Sequence, residues 1–160
     1  MDTFLAIASK RDQREYDARP IPDEVVDRIL DAGRLSGNSK NRQDWEFVVV
    51  ESARDALAKA VFAPENVETA ALVVAIVCPR ALDTGRAAQN MMLAAWNEGV
   101  TSCPNGVRDA EAAEALLGAP PALVLSFGYP VRPRDPTGRP AEEWSARAKR
   151  KPLDEVVRKV

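Results

Sequence analysis

The spacing of apolar residues along the chain alternates between helical and strand-like segments. The clearest helical pattern follows Pro22, where apolar residues recur at every third or fourth position as far as Leu30. Proline in the first turn, with Asp23 and Glu24 behind it, favours a helix start. We expect this helix to end near Leu35.

Four further helices are predicted from similar patterns. Residues 2–8 form a short one whose inward face we expect to comprise Phe4, Leu5, Ile7 and Ala8. Ser52 with Asp55 resembles a capping box and predicts a helix start, and Asp83 is a candidate cap for a helix that continues to about Glu98. A fourth helix is predicted over 109–117.

Three segments are rich in the β-branched and aromatic residues that form strands. They are the runs 45–50, 70–77 and 122–127. The second is continuously apolar and the third is apolar except at Ser126, so we expect both to be buried strands.

The composition changes after Gly128. Pro130, Pro133, Pro136 and Pro140 interrupt a polar stretch without apolar periodicity. We therefore predict one domain over residues 1–160, in which 129–160 form an extended C-terminal arm that regains helical structure only from Pro152. An arm with so little core of its own needs a surface to lie on, and the partner subunit of a dimer provides one.

Composition excludes several classes of function. The chain has 160 residues, 46% of them hydrophobic and 29% charged, with a net charge of −2; this is typical of a globular protein and argues against a dedicated nucleic-acid binder. It contains no histidine, which excludes Ser-His-Asp and Cys-His nucleophiles and imidazole metal sites. Cys78 and Cys103 form no Cys-x-x-Cys motif, so we predict no metal site. No apolar run is long enough to span a bilayer, and the N-terminus lacks the basic start of a signal peptide, so the default expectation is a cytoplasmic protein.

Two polar segments carry the candidate chemistry. The first places Lys10, Arg11 and Arg14 within five positions, and the second is an amide-rich loop from Asn38 to Asp44 that leads into the strand at Trp45. Basic side chains supply charge for a phosphate, and amides supply directed hydrogen bonds for a flat heterocycle. Neither a Rossmann fingerprint nor a P-loop is present.

The order of motifs resembles the nitroreductase family of flavin mononucleotide (FMN) proteins. The resemblance extends along nearly the whole chain. The similar segments are Lys10-Arg11-Asp12-Gln13-Arg14-Glu15-Tyr16, Gly37 to Trp45, Ala87-Ala88-Gln89-Asn90 to Ala95, Gly99-Val100-Thr101-Ser102-Cys103, Gly128-Tyr129-Pro130 and Arg150 to Val157. The resemblance implies an α+β fold with a central, mainly antiparallel sheet flanked by helices, and a C-terminal arm exchanged in a homodimer.

The resemblance also implies which residues bind FMN. Lys10, Arg11 and Arg14 would hold the phosphate and the adjoining part of the flavin, with Arg150 as a further basic contact. The amide-rich loop would reach across from the other subunit with Asn38, Ser39, Asn41 and Gln43. Backbone groups of Pro104, Asn105 and Gly106 would approach the reactive ring nitrogen, where a backbone donor stabilises reduced flavin without titrating. No catalytic side chain is assigned.

Asp12 departs from the family pattern. It stands where the family has a phosphate-binding serine, and at about 5 Å with an effective dielectric of about 20 its repulsion of a phosphate amounts to roughly 3 kcal/mol. Each charge-assisted hydrogen bond from a cation contributes about 1.5 to 3 kcal/mol, so we expect binding to be weakened and retained. The short stretch from Cys78 to Asp83 also lacks the helices that cover the flavin in larger relatives, which predicts an open cofactor face.

Three functional hypotheses follow. The leading one is an FMN-dependent oxidoreductase that takes hydride from NAD(P)H and passes it to a nitroaromatic, a quinone or a similar small acceptor. The second keeps the fold with different flavin or deazaflavin chemistry, such as dehalogenation or desaturation, or with flavin binding and no reductase activity. The third is a nonenzymatic or nucleic-acid-binding role for the basic tail, which is disfavoured because aromatic interleaving is limited to Trp144.

Overall fold

A computed structural model describes residues 1–160. The chain divides into two compact units. The sheet unit comprises residues 11–134, and the terminal unit comprises residues 1–10 with 135–160. The prediction of a single domain with an exchanged arm stays a prediction.

The sheet unit contains four strands and five helices. In chain order these are α2 (Asp23–Arg34), β1 (Glu46–Val49), α3 (Arg54–Lys59), α4 (Pro64–Glu68), β2 (Leu72–Val77), α5 (Ala81–Asn97), β3 (Thr101–Asn105), α6 (Ala110–Leu117) and β4 (Leu123–Gly128). The terminal unit contains α1 (Thr3–Ser9), α7 (Ala141–Arg147) and α8 (Leu153–Val156).

The strands form one antiparallel sheet in the order β1-β2-β4-β3. The central strands β2 and β4 are apolar except at Ser126 and Gly128 of β4, since both faces of these strands are covered. On one face Val74, Ile76 and Phe127 pack with α2 and α5. On the other, Val73 and Val124 pack with α3, α4 and α6. These observations confirm the predicted α+β fold with a mainly antiparallel sheet flanked by helices.

Close helix packing on the first face depends on a glycine in α2. A methyl group at Gly33 would overlap the side chain of Met91 in α5 and approach the ring of Phe47 in β1. A larger residue would therefore require the Met91 side chain to move. No helix of the structure has the length and apolar content needed to cross a membrane.

Three local predictions were wrong. In α1 the side chains of Phe4 and Ile7 are 57% and 52% exposed, whereas Ala6 is buried, so the inward face differs from the expected one. Helix α3 begins at Arg54 without a side-chain cap from Ser52. Helix α5 begins at Ala81, three residues earlier than an Asp83 cap would require.

The segment after Gly128 is also more ordered than predicted. A short 3-10 turn over Pro136–Gly138 and the helix α7 precede the expected terminal helix α8. Glu143 forms ion pairs with Arg139 at 2.8 Å and with Arg147 at 3.1 Å, each four residues away. The indole N–H of Trp144 donates to the Pro136 carbonyl at 2.9 Å. Polar i,i+4 pairs therefore stabilise a helix that apolar periodicity could not reveal.

Candidate functional site

Backbone hydrogen bonds join residues 11–17 to the edge strand β3 and to the residue that follows β4. The N–H of Gln13 donates to the Ser102 carbonyl in β3 at 3.1 Å, and the N–H of Asp17 donates to the Tyr129 carbonyl, directly after β4, at 2.9 Å. The predicted phosphate-binding residues Arg11 and Arg14 are thereby placed beside the strands β3 and β4.

Arg14 lines a cleft of about 400 Å³ that also contains two further arginines. We call it the arginine cleft, and its lining residues are Asp12, Gln13, Arg14, Glu15, Val131, Arg132 and Arg134. Arg134 donates to the side-chain oxygen of Gln13 at 3.4 Å. Three guanidinium groups thus face two carboxylates, and the excess of positive charge suits an anionic ligand.

Arg132 and Arg134 were missed by the sequence analysis. Arg132 lies four residues after the end of β4, and both arginines belong to the proline-rich stretch that we predicted to be part of an arm. The available signal was a pair of arginines a few residues after a predicted strand. Their proximity to Arg14 depends on the tertiary attachment of residues 11–17.

Tyr16 anchors this segment in the interior. Its ring packs so closely on β4 that a methyl group at Gly128 would lie 2.6 Å from Tyr16 Cγ. Its hydroxyl lies 2.9 Å from the Gln13 carbonyl oxygen, 3.2 Å from the Ser126 carbonyl oxygen and 3.0 Å from Ser126 Oγ. The residue thus bridges the wall of the arginine cleft and the central strand β4.

Burial raises the pKa of the Tyr16 phenol well above its ordinary value, and the hydrogen bond to Ser126 only partly opposes this effect. Unfolded tyrosine loses its proton at about pH 10, whereas the folded phenol keeps it, so folding stability falls as pH rises above about 10. Relative to Tyr16→Phe, the wild-type protein should lose about 1.4 kcal/mol of unfolding free energy for each pH unit above about 10. Urea unfolding of both proteins between about pH 9 and pH 11 measures the difference, and parallel pH profiles would contradict it.

A buried polar cluster extends from Tyr16 along the sheet. The Asn105 amide nitrogen lies 3.1 Å from Ser126 Oγ and 3.0 Å from the Cys103 carbonyl oxygen. The Asn66 amide donates to Asn105 Oδ1 at 2.8 Å. Asn66 is therefore part of the buried cluster, and it lies in the unpredicted helix α4.

One buried polar atom of this cluster, Asn66 Oδ1, has no hydrogen-bond partner. The Asn105 amide nitrogen contacts only acceptors, so its oxygen must face Asn66 and accept from it. This fixes the Asn66 amide with its oxygen away from Asn105. Asn66 Oδ1 thus remains a buried acceptor that lacks a donor.

The predicted segment Pro104, Asn105 and Gly106 forms the end of β3 and the residue after it. Pro104 and Gly106 are exposed, while the Asn105 side chain is buried in the cluster. The Gly106 carbonyl accepts from the Phe62 N–H at 3.1 Å. Strand β3 was not predicted, because its residues Thr-Ser-Cys-Pro-Asn form an edge strand with little apolar content.

The amide-rich loop is held in one shape by its own hydrogen bonds. Asn38 Oδ1 accepts from the Gln43 N–H at 3.0 Å, and the Gln43 side chain donates to the Asn41 carbonyl at 3.3 Å. Lys40, Asn41 and Gln43 all have positive φ angles between 51° and 56°, a conformation that side chains usually avoid. Such a preformed loop is suited to presenting polar groups to a ligand.

The loop residues line clefts other than the arginine cleft. Asn38 and Ser39 line one of about 550 Å³ together with Arg80 and Arg86 of the α5 start. Asp44 at the end of the loop forms an ion pair at 3.4 Å with Arg80, the residue before α5. Gln43 faces a third cleft, beside Trp45. Within one chain the structure therefore does not bring the two predicted halves of the site into a common cleft.

Lys10 and Arg150 belong to the terminal unit. The Lys10 N–H donates to the Ala6 carbonyl at 3.0 Å as the C-cap of α1, and Arg150 is exposed after α7. Their part in cofactor binding stays a prediction. No group of three or more histidine, cysteine, aspartate or glutamate side chains is placed to hold a metal ion.

Comparisons with known proteins identify the family. A sequence model of the nitroreductase family matches residues 7–81 and 79–129, two segments that meet at the short link before α5. A relative in Methanothermobacter thermautotrophicus, named "Putative NADH dehydrogenase/NAD(P)H nitroreductase", is 30% identical over 154 residues, with 82% of this chain and 78% of the relative covered.

Two solved structures show the same fold. The NADPH:FMN oxidoreductase of Vibrio harveyi, solved in complex with NAD⁺, is 24% identical with a TM-score of 0.81, and the match covers 96% of this chain and 75% of that one. A nitroreductase family protein of Streptococcus pneumoniae is 18% identical with a TM-score of 0.81 over 99% of this chain and 100% of that one. Since the family model covers well over half of the sequence and the curated relative aligns over most of both chains, this chain belongs to the nitroreductase family.

Proposed function

We propose that this protein is an FMN-dependent oxidoreductase that transfers hydride from NAD(P)H to a small acceptor such as a nitroaromatic or a quinone. Family membership and the names of its relatives support the reaction class. The observation that carries the proposal is the arginine cleft, where Arg14, Arg132 and Arg134 surround a space beside the edge strand of the sheet.

The residues present fit the chemistry of FMN. Its phosphate is a dianion, and arginine binds phosphate through two parallel hydrogen bonds. The oxidised ring system carries one N–H donor, and Asn66 Oδ1 is a buried acceptor without a donor. We propose that Arg11, Arg14, Arg132 and Arg134 hold the phosphate end and that Asn66 serves the pyrimidine edge.

Bound FMN would supply the chemistry by accepting a hydride from the nicotinamide and releasing electrons to the second substrate. The chain itself would contribute position and polarity. The backbone N–H groups of Asn105 and Gly106 would be available to donate to the reactive ring nitrogen. A backbone N–H is uncharged and keeps its proton at every working pH. Because the chain has no histidine, a proton for the acceptor would come from water or a carboxyl group.

We further propose that the site is completed in a homodimer. Asn38, Ser39, Asn41 and Gln43 lie on a preformed loop that lines clefts separate from the arginine cleft. In a two-fold dimer the loop of one subunit can serve the cleft of the other, so that each of two sites draws on both chains.

The experiment is a visible absorption spectrum of the purified protein with and without added FMN, followed by anaerobic addition of NADH and then of NADPH. We expect flavin bands that stay with the protein through gel filtration and bleach with at least one nicotinamide. Absence of bound flavin at high FMN concentration would refute the cofactor assignment. Bound flavin that neither nicotinamide reduces would refute the reductase assignment and favour the alternative flavin chemistries.

A further inference from the structure

We propose that a buried hydrogen-bond chain from Asn66 through Asn105 and Ser126 to Tyr16 is a positioning device, which fixes the arginine cleft and the Pro104–Gly106 segment relative to each other. We call it the Tyr16–Asn66 chain. The inference rests on the proposed function, since these two regions are the proposed phosphate and ring sites of FMN. Tyr16 and Ser126 would act without touching the cofactor.

The donors and acceptors of the chain can be assigned in one direction. Asn66 donates to Asn105 Oδ1 at 2.8 Å, and Asn105 donates to Ser126 Oγ at 3.1 Å. Ser126 Oγ lies 3.0 Å from the Tyr16 hydroxyl, which donates to the Gln13 carbonyl at 2.9 Å. The Ser126 hydroxyl has one proton and lies 3.3 Å from the Cys103 carbonyl oxygen as well. When it donates to Tyr16, every link has one donor and one acceptor, and bonds aligned in this way reinforce one another in a low-dielectric interior.

The chain adjoins both regions, the first through Tyr16 and the second through Asn105. Gln13 lines the arginine cleft between Asp12 and Arg14. Asn105 lies between the exposed residues Pro104 and Gly106. A displacement of the Tyr16 hydroxyl is therefore transmitted to the cleft through one hydrogen bond and to the end of β3 through two.

The chain is held rigidly by burial. The exposed fractions of Asn66, Asn105, Ser126 and Tyr16 are 2%, 3%, 0% and 7%. Gly128 is required for this packing, because any side chain there would overlap the Tyr16 ring. Loss of the hydroxyl would leave the Gln13 carbonyl and Ser126 short of a partner in a region that water reaches poorly, which favours a shift of residues 13–16.

The experiment compares Tyr16→Phe with Tyr129→Phe. Phenylalanine keeps the ring that packs on Gly128, so Tyr16→Phe removes only the hydroxyl. Tyr129, just after β4, is a matched control, because its ring lies under Arg19 and its hydroxyl makes no hydrogen bond in the structure. FMN dissociation constants are measured by fluorescence titration, and the midpoint potential of the bound flavin is measured by equilibration with reference dyes.

We expect Tyr16→Phe to weaken FMN binding about tenfold, equivalent to about 1.4 kcal/mol, and to shift the midpoint potential. Tyr129→Phe should have the same FMN dissociation constant and the same midpoint potential as the wild type. Ser126→Ala should reproduce the Tyr16→Phe effects, and the double variant should be no worse than the worse single one because both remove the same connection. If Tyr16→Phe only lowers the melting temperature and leaves both affinity and potential unchanged, the role is structural and the inference is wrong.

Amide hydrogen exchange in the cofactor-free protein separates this inference from the proposed function. Tyr16→Phe should accelerate exchange in two stretches distant in sequence, 13–16 and 103–106, and Tyr129→Phe in neither. Acceleration confined to 13–16 would refute coupling through the chain, whether or not FMN binds. If the wild type binds no FMN, the proposed function fails while this result still decides whether the two regions are linked.

Discussion

Replacing Arg14 with glutamine is expected to weaken FMN binding by roughly ten- to a hundredfold. A charge-assisted hydrogen bond contributes about 1.5 to 3 kcal/mol, and each 1.4 kcal/mol corresponds to about a factor of ten. Glutamine keeps much of the length and some of the hydrogen bonding of arginine, so the loss reports mainly the charge. Flavin fluorescence quenching at low ionic strength measures the dissociation constant.

The controls for Arg14→Gln use charges elsewhere on the same unit. Arg28→Gln removes the charge of another exposed arginine, which lies in α2 and pairs with Glu98. This variant should have an FMN dissociation constant within about twofold of the wild-type value. Raising the salt concentration should reduce the difference in FMN dissociation constant between Arg14→Gln and the wild type, because salt screens exposed charges over about 10 Å at 0.1 M ionic strength. Equal affinities of the wild type and Arg14→Gln would remove the arginine cleft from the binding site.

Asp12 provides the opposite test within the same cleft. Its carboxylate lines the space that we assign to the phosphate, so Asp12→Ser should strengthen binding where Arg14→Gln weakens it. Coulomb repulsion between the carboxylate and a phosphate at about 5 Å sets an upper limit of about 3 kcal/mol on the gain in binding free energy, and solvent exposure should reduce this gain. Opposite signs for these two substitutions would locate the anion in this cleft, since a general loss of folding would weaken binding in both.

Much of the fold could be predicted because its central elements are locally unambiguous. Strand β2 is a run of six apolar residues, and α5 ends at the residue before a Glu98-Gly99 pair in which Gly99 adopts φ 74°. Both signals are contained in a few neighbouring residues. The predicted flanks of the sheet followed from them and from the resemblance of motif order.

The missed elements depend on contacts between residues distant in sequence. Strand β3 is identified by its pairing with β4, in which Asn105 lies opposite Val124, since its own residues have little strand propensity. Asn66 contacts Asn105 across 39 positions of sequence. No local pattern predicts that two amides so far apart meet in the interior.

The candidate site was predicted in its composition rather than in its geometry. The basic character of residues 10–14 and the polar character of 38–43 were evident from the sequence. The arginine cleft, however, includes Arg132 and Arg134, which meet Arg14 only because residues 13 and 17 are hydrogen bonded to β3 and to the end of β4. Charge that converges from two distant segments is a property of the fold.

Replacing Phe127 with alanine is expected to lower the free energy of unfolding by about 3 to 5 kcal/mol. Phe127 is completely buried in the core between β4, α2 and α5. Its removal would cost the transfer free energy of the ring and would also leave a cavity that the packed helices can fill only in part. With a total stability of about 5 to 15 kcal/mol for a typical domain, this is a large fraction.

Phe62 offers a matched control for Phe127→Ala, because the same side chain is 70% exposed there. Phe62→Ala should change the unfolding free energy by no more than about 0.5 kcal/mol. Urea unfolding at a fixed protein concentration measures both variants, since dimerisation would otherwise shift the apparent stability. Phe127 projects to the face of β4 opposite Ser126, so the folded fraction of Phe127→Ala should keep its Tyr16–Asn66 chain and bind FMN with near wild-type affinity. Similar destabilisation by both substitutions would mean that the α2–α5 face is not the main core of the sheet unit.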